Sequence, residues 1–214
     1  MKQLILNPVE NLPYLISCME DLQARGLYVS DKEKTEETVM ASKIGFSGRK
    51  DYNQKIHQIY KAWSDVLEAQ HLSMRLLSGL HAHIIIFMGL GNIGDKILLL
   101  PEQAGGHYAT KGILERLGYH VIEMAVDNKN YCINIPKTIQ ILETEQPDFI
   151  FVDRSEGINY EDFGELLKHV NKEVCSVFDA SQYLTNIIFH QFTSPFDMGF
   201  DIVLSTLHKN FPGP

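Results

Sequence analysis

The sequence is poor in cysteine, and the few it has are scattered. Among its 214 residues are only Cys18, Cys132 and Cys175, which lie far apart and form no C-x-x-C pair. An odd, dispersed set of this kind excludes a disulfide framework and a structural zinc site of the usual spacing. We therefore expect a reducing, cytoplasmic environment.

Clustered basic charge is also missing. The chain has 19 Lys and Arg against 27 Asp and Glu, which gives a formal net charge of -8. Binding to a phosphate backbone requires grouped Lys and Arg side chains, and no such group is visible. The composition thus argues against a nucleic-acid partner.

Long apolar runs are absent too. No stretch approaches the roughly 18 apolar residues that a membrane span requires. Near the start, only Leu4, Ile5 and Leu6 form an apolar group, which is too short for a secretory signal. We expect no membrane partner, and the 44% of hydrophobic residues suffices for one sizeable core.

What the sequence does contain begins with a glycine pattern. Gly89, Gly91 and Gly94 spell G-x-G-x-x-G, which binds dinucleotides only where the third glycine opens a helix. Here Pro101 would break any such helix within its second turn. The residues before the glycines space like a buried helix, with Met88 in its core. The predicted order is helix, glycine turn and strand, which argues against dinucleotide binding.

Strand-like runs then alternate with helical stretches. Strands joined by single helices imply crossover connections and a mostly parallel sheet. We predict an α/β fold with three layers, α/β/α, around a mostly parallel central sheet. The predicted strands are KILLL, HVIEMAV, DFIFVD, EVCSVFDA and DIVLSTLH, and the helices are ATKGILERLG, PKTIQILETEQ, YEDFGELLKHV and SQYLTNIIFH.

Polar residues follow several of these strands, at the edge where parallel sheets bind ligands. Asp153 and Asp179 end two strands, and Thr206, His208 and Lys209 follow a third. Pyridoxal phosphate requires a lysine for its Schiff base, an acid for the pyridine nitrogen and a flat group over the ring. Each residue alone also has an ordinary role, as a helix cap or a solvated charge. Together they favour that cofactor.

The order of these residues resembles the serine hydroxymethyltransferases, within the fold-type I pyridoxal-phosphate enzymes. DIVLSTLHKNFPGP resembles the family's Schiff-base segment, GGHYATKG its Gly-Gly-His and FDASQYL its pyridine-binding segment. The resemblance implies that Lys209 binds the cofactor covalently, that Asp179 pairs with the pyridine nitrogen and that His107 stacks on the ring. Gln182 stands where the family has histidine.

Three further segments extend the resemblance over nearly the whole chain. SGLHAH is similar to the family's phosphate-binding turn, although Leu80 replaces its usual polar residue. NPVENLP and GFSGRKDY are similar to substrate-binding segments and imply that Glu10 and Tyr52 contact the substrate, with Tyr52 also catalytic. The implied cofactor-binding residues are Ser78, Gly79, His107, Asp179, Gln182, Thr206, His208 and Lys209.

Two other histidines, His81 and His83, are separated by one residue on a predicted helix. Side chains spaced in this way on a helix do not converge on one ion, and no third ligand is near in the sequence. We expect them to be packing or polar surface residues, and we expect no metal.

The resemblance also implies a domain organisation. Residues 1–50 would form an N-terminal segment with active-site and dimer contacts, and residues 51–214 the cofactor-binding large domain. That domain would end just after Lys209, with the C-terminal small domain absent. An amino-acid substrate and a homodimer with shared active sites are expected.

The implied activity is that of a transferase or aldolase acting on the Cα–Cβ bond of serine or threonine. Ile44 stands where the family has a glutamate that carries protons near folate, and isoleucine cannot do this. An aldolase or transaldolase variant is therefore expected, unless a shifted alignment lets Glu36 or Glu37 serve. Two alternatives stay open: an aminotransferase or decarboxylase of the same fold, and a cofactor-binding fragment or pseudoenzyme without the substrate-binding half.

Overall fold

The computed structural model describes residues 50–157 and 161–213, with side chains from residue 57 onward. The chain divides between Ser73 and Met74 into two units. In the first, helix α1 spans Lys50–Leu67. The sheet and the contacts of the candidate site belong to the second unit, and the predicted domain boundary near residue 50 stays a prediction.

A five-stranded parallel sheet forms the centre of the second unit. Its strands are β1 Lys96–Leu99, β2 His120–Glu123, β5 Phe149–Asp153, β6 Cys175–Asp179 and β7 Ile202–Leu204. Two short strands lie outside it, β3 Val126–Asp127 and β4 Cys132–Ile133. The order across the sheet is β2-β1-β5-β6-β7, and every neighbouring pair is parallel. β3 and β4 form a separate antiparallel pair.

Helices connect these strands and cover both faces of the sheet. They are α2 Gly79–Leu90, α3 Thr110–Arg116, α4 Ile135–Glu145, α5 Phe163–Leu167, α6 Leu184–Ile188 and α7 Pro195–Met198. The predicted three-layer α/β/α arrangement is confirmed. Among the residues that the structure describes, no helix is both long enough and apolar enough to cross a bilayer.

Strand β5 shows why the runs of apolar residues form a sheet buried on both sides. All five of its residues are buried. Phe149 and Phe151 pack into the apolar cluster that contains Phe87 of α2. Ile150 and Val152 point into the opposite cluster. Burying a side chain of this size stabilises the fold by about 1.5–3 kcal/mol, so β5 is anchored between two cores.

Helix α2 begins where its sequence caps it. The Ser78 side chain accepts a hydrogen bond from the His81 backbone N–H, as an N-cap does. The helix is followed by the glycine turn and then by β1, so the predicted order of helix, turn and strand is confirmed. The prediction that Met88 is a core residue was wrong, because its side chain is 66% exposed. The buried face carries Ala82, His83 and Phe87 instead.

Candidate functional site

Two aspartates lie side by side at the carboxyl ends of neighbouring strands. Asp153 ends β5, Asp179 ends β6, and the two are partners in the strand register. Both side chains are buried. A buried carboxylate is costly unless hydrogen bonds or a positive charge compensate for lost water, so the partners of these two groups decide what they can do.

Asp179 is held by a hydrogen bond on each oxygen. His83 Nε2 lies 2.8 Å from Oδ2, and the backbone N–H of Ser181 donates to Oδ1 at 2.8 Å. Burial alone would raise the pKa of Asp179, but the His83 contact and the Ser181 hydrogen bonds outweigh it and hold the pKa below its ordinary value. Asp179 is therefore ionised at neutral pH although it is out of contact with water.

The pKa of Asp153 is shifted in the opposite direction. Burial raises its pKa above the ordinary value, and the charge of neighbouring Asp179 raises it further, against the lowering effect of His83. The Thr110 hydroxyl donates to its Oδ2. One ligand atom each of Asp153, Asp179 and His83 lie within 4.8 Å of one another. The three form a buried cluster in which His83 and Asp179 are joined by a hydrogen bond.

A small recess borders Asp179 on the side of α2. A Cβ atom placed on Gly79 would lie 4.0 Å from Asp179 Oδ2 and from Ser181 Oγ, and 3.1 Å from Cγ2 of Thr206. Any side chain at residue 79 would crowd this space. The Thr206 backbone N–H donates to Ser181 Oγ at 3.1 Å. The Thr206 hydroxyl is buried and has no hydrogen-bond partner among the described residues.

The loop that carries His107 is joined to the loop after β5. The backbone N–H of His107 donates to the carbonyl of Asp153 at 3.0 Å. The carbonyl of Gly105 accepts from the N–H groups of Ser155 and Glu156, at 2.8 and 3.0 Å. Gly105 has φ +89°, and a Cβ there would lie 1.7 Å from the Glu156 carbonyl oxygen, so only glycine fits.

Lys209 lies in the segment after β7, at the same edge of the sheet, and its side chain is exposed. The next residue ties this segment to α6: Asn210 Oδ1 accepts from the Thr185 N–H at 2.8 Å, and its carbonyl accepts from the Thr185 hydroxyl at 2.5 Å. Further along, the Gly213 N–H donates to the Leu207 carbonyl at 2.9 Å. The backbone beside Lys209 is thus fixed, whereas the side chain is accessible.

The structure brings some of the residues predicted from the sequence together and leaves others apart. Gly79, Asp179 and Thr206 border one recess, and Ser78 caps the helix beside it. His107 is half-buried next to Asp153, while Gln182, His208 and Lys209 are exposed. Tyr52 lies in α1, at a position where the structure describes the backbone only. Glu10 lies outside the described residues.

Sequence reasoning missed His83. Its expected role as a packing or surface residue did not include a bond to a residue 96 positions away. A signal was present: His83 lies four residues after Gly79, so the two share one face of α2, and that face is otherwise apolar. A lone polar side chain on a buried face, one turn from a predicted binding turn, points towards the same site.

These residues fit pyridoxal phosphate. Gly79 leaves the space of a side chain next to Asp179, whose ionised carboxylate suits a protonated pyridine nitrogen. The unpaired Thr206 hydroxyl is a donor in need of an acceptor, and a phosphate oxygen is a strong one. The site therefore offers both an acid for the ring and a free donor for the phosphate.

Replacing Thr206 with valine separates the effect of its hydroxyl on stability from its effect on phosphate binding. Valine has nearly the same shape but removes a buried hydroxyl that has no partner, so we expect T206V to leave stability unchanged or to raise it slightly. The same change should weaken pyridoxal-phosphate binding about tenfold, by loss of one phosphate contact. Thermal melting and a fluorescence titration measure the two effects. Unchanged affinity in T206V would contradict a phosphate role for this hydroxyl.

Comparison with known proteins identifies relatives that this chain matches over part of their length. No protein-family model matches the chain. It is 29% identical to a serine hydroxymethyltransferase of Sulfolobus acidocaldarius and 31% identical to one of Saccharolobus islandicus. Each alignment spans 195 residues and covers 89% of this chain but 45% of the relative. The chain thus spans less than half the length of the curated relatives it matches.

A solved structure has a similar fold. It is the L-threonine transaldolase from Pseudomonas fluorescens, in the internal aldimine state, with a TM-score of 0.70 and 21% identity. The match covers 76% of this chain and 37% of that chain. At this identity the likeness establishes the fold alone.

Proposed function

From the premise that this chain is serine hydroxymethyltransferase-like, with a fold-type I α/β/α domain, we propose that it forms the cofactor-binding half of a pyridoxal-phosphate-dependent enzyme. The enzyme would act on the Cα–Cβ bond of a β-hydroxy amino acid, as an aldolase or transaldolase. The observation that carries the proposal is the buried, ionised carboxylate of Asp179 beside the Gly79 recess. Burying such a charge carries a desolvation penalty, and a cationic ligand would compensate for it.

Each residue of the site has a role in this proposal. Asp179 would pair with the pyridine nitrogen and favour its protonated form, and Lys209 would supply the amine that holds the cofactor. Thr206 and the N-terminus of α2, beginning at Ser78, hold the phosphate. His107 supplies the flat group for the ring. When bound, pyridoxal phosphate supplies an electron-withdrawing ring that stabilises the electron pair left when a bond to Cα breaks.

The substrate class rests on the comparisons and on Ile44. Relatives named for serine and a similar fold named for L-threonine both support a β-hydroxy amino acid. Ile44 lies outside the described residues, so its replacement of the family's glutamate stays a prediction from the sequence. Loss of a positioned acid or base costs about 100-fold to 10,000-fold in rate, which is enough to redirect the reaction away from folate.

The test compares two reactions, with the longest available form of the protein. One assay supplies threonine and an aldehyde acceptor, and the other supplies serine and tetrahydrofolate. We expect cleavage of threonine and transfer to the acceptor, with folate-dependent conversion of serine at least about 100-fold slower. Protein without added pyridoxal phosphate is the control for both assays.

The products distinguish the alternatives. Efficient folate-dependent conversion of serine to glycine would contradict the transaldolase proposal and return the chain to the main family. A keto acid would identify an aminotransferase, and carbon dioxide a decarboxylase. Cofactor binding with no product would identify a pseudoenzyme. A homodimer with shared active sites is proposed from the resemblance alone.

A further inference from the structure

We propose that His83 is a positioning residue for Asp179, holding one of its oxygens so that the carboxylate stays ionised and faces the Gly79 recess. The inference rests on the proposed function, since the carboxylate is held for the pyridine nitrogen. Nothing in the resemblance assigns His83 a role. What carries it is the 2.8 Å contact between Nε2 and Oδ2, between two side chains that are both nearly fully buried.

The orientation of the imidazole is determined from two sides. Its ring meets the ring of Phe151 edge-on, with 4.9 Å between centroids. Its position on α2 places it four residues after Gly79, so Nε2 reaches Asp179 from the face that also carries the recess. Because the Ser181 N–H holds Oδ1, the carboxylate cannot rotate without breaking a hydrogen bond at one oxygen or the other.

The proton on the imidazole follows from the same contacts. An ionised carboxylate only accepts hydrogen bonds, so Nε2 carries the hydrogen that points at Oδ2. Nδ1 is buried and has no partner among the described residues. His83 is therefore the donor in this contact, through Nε2.

The charge of the cluster is consistent with this role. The ionisable groups around His83 are Asp179 on β6 and Asp153 on β5, and His107 in the loop after β1 acts on Asp153. Burial raises the pKa of Asp153 and so shifts it towards the neutral acid, whereas the pKa of Asp179 is lowered. The negative charge beside Gly79 is therefore that of Asp179. One protonated pyridine nitrogen would balance it.

The experiment is a titration of pyridoxal phosphate into the chain, followed by absorbance across a pH series. His83→Leu removes the donor, and His83→Gln keeps one, because a glutamine amide nitrogen can occupy the position of Nε2. His120→Gln changes an exposed histidine on β2 and is the matched control. Circular dichroism checks that each variant is folded.

Removing the donor raises the pKa of Asp179, so the neutral acid forms at a higher pH. We expect the acid-side pH at which half of the binding is lost to rise by about one unit in H83L. At a pH near that midpoint, affinity should fall about tenfold. H83Q should restore most of the affinity and reverse most of the shift in midpoint, and H120Q should match the unchanged chain in both quantities. A purely structural role would weaken binding equally at every pH and leave the midpoint in place.

The outcomes separate this inference from the function on which it rests. If the unchanged chain binds no pyridoxal phosphate, the proposed function fails, whatever the variants do. If the unchanged chain binds it and folded H83L keeps the same midpoint, the role of His83 is overturned. If H83L does not fold, H83Q decides the question together with NMR of the unchanged chain. A His83 ring that carries its hydrogen on Nδ1 instead of Nε2 would overturn the inference.

Discussion

Substituting Lys209→Ala is expected to abolish the covalent adduct that borohydride traps between pyridoxal phosphate and the protein. A primary amine is required for that link, and alanine has none. Lys209 follows the last strand of the sheet, and its side chain is exposed. Reduction followed by peptide mapping measures the result, and the label should fall on the peptide that contains residue 209.

The controls for this experiment are other lysines of the same unit. Lys172→Ala, also an exposed side chain, should keep the full adduct. Loss of either exposed side chain should change stability by no more than about 0.5 kcal/mol, so unfolding would not explain a missing adduct. A label on Lys96 or Lys111 would refute the assignment, and both of these form ion pairs with glutamates.

Asp179→Asn is expected to have the second large effect. Asparagine has the same shape and can still accept from Ser181, but it is neutral and cannot keep a pyridine nitrogen protonated. Turnover of the loaded enzyme should fall about 100-fold to 10,000-fold, and affinity for the cofactor at least about tenfold. Steady-state kinetics and a fluorescence titration measure the two. Asp197→Asn, at an exposed position of α7, is the control, and an unchanged rate in D179N would exclude the role.

The same variant tests the charge state of Asp179 without a cofactor. Because the pKa of Asp179 is lowered in the folded chain, its ionisation stabilises the fold at pH values above the ordinary aspartate pKa of about 3.9. That stabilisation is lost as the pH falls through the lowered value. The difference in melting temperature between D179N and the unchanged chain should therefore shrink on acidification. A difference that grows instead would contradict the ionised state.

The sheet could be predicted because parallel strands buried on both faces have short, nearly continuous apolar sequences. One run, HVIEMAV, was predicted as a single strand, but it divides: β2 ends at Glu123, and β3 begins at Val126. The division occurs where the Ala125 N–H donates to the Thr138 hydroxyl and the chain leaves the sheet. β3 and β4 have two residues each, too few to show a period, so neither could be predicted as part of a hairpin.

Only those site residues could be predicted whose position in the sequence, such as the end of a strand, already indicates a role. Asp179 follows an apolar strand, and strand ends are where ligands bind, so it was found. His83 could not be found in this way, because its partner is distant in the sequence and the contact depends on how α2 packs on the sheet. Thr110 likewise acquires its role only through the bond to Asp153. Relations between elements, unlike periods within them, require the packed structure.

The joined loops after β1 and β5 bear on the conformational entropy of binding. Ordering the backbone of one residue costs about 1–2 kcal/mol, and a ligand that must order a loop binds more weakly by that amount. Here the Gly105 carbonyl already holds Ser155 and Glu156, and Asp153 holds the backbone of His107. The two loops are ordered by each other before any ligand arrives. A ligand at these two loops therefore meets a preorganised backbone, and the side chain of His107 still has freedom to lose.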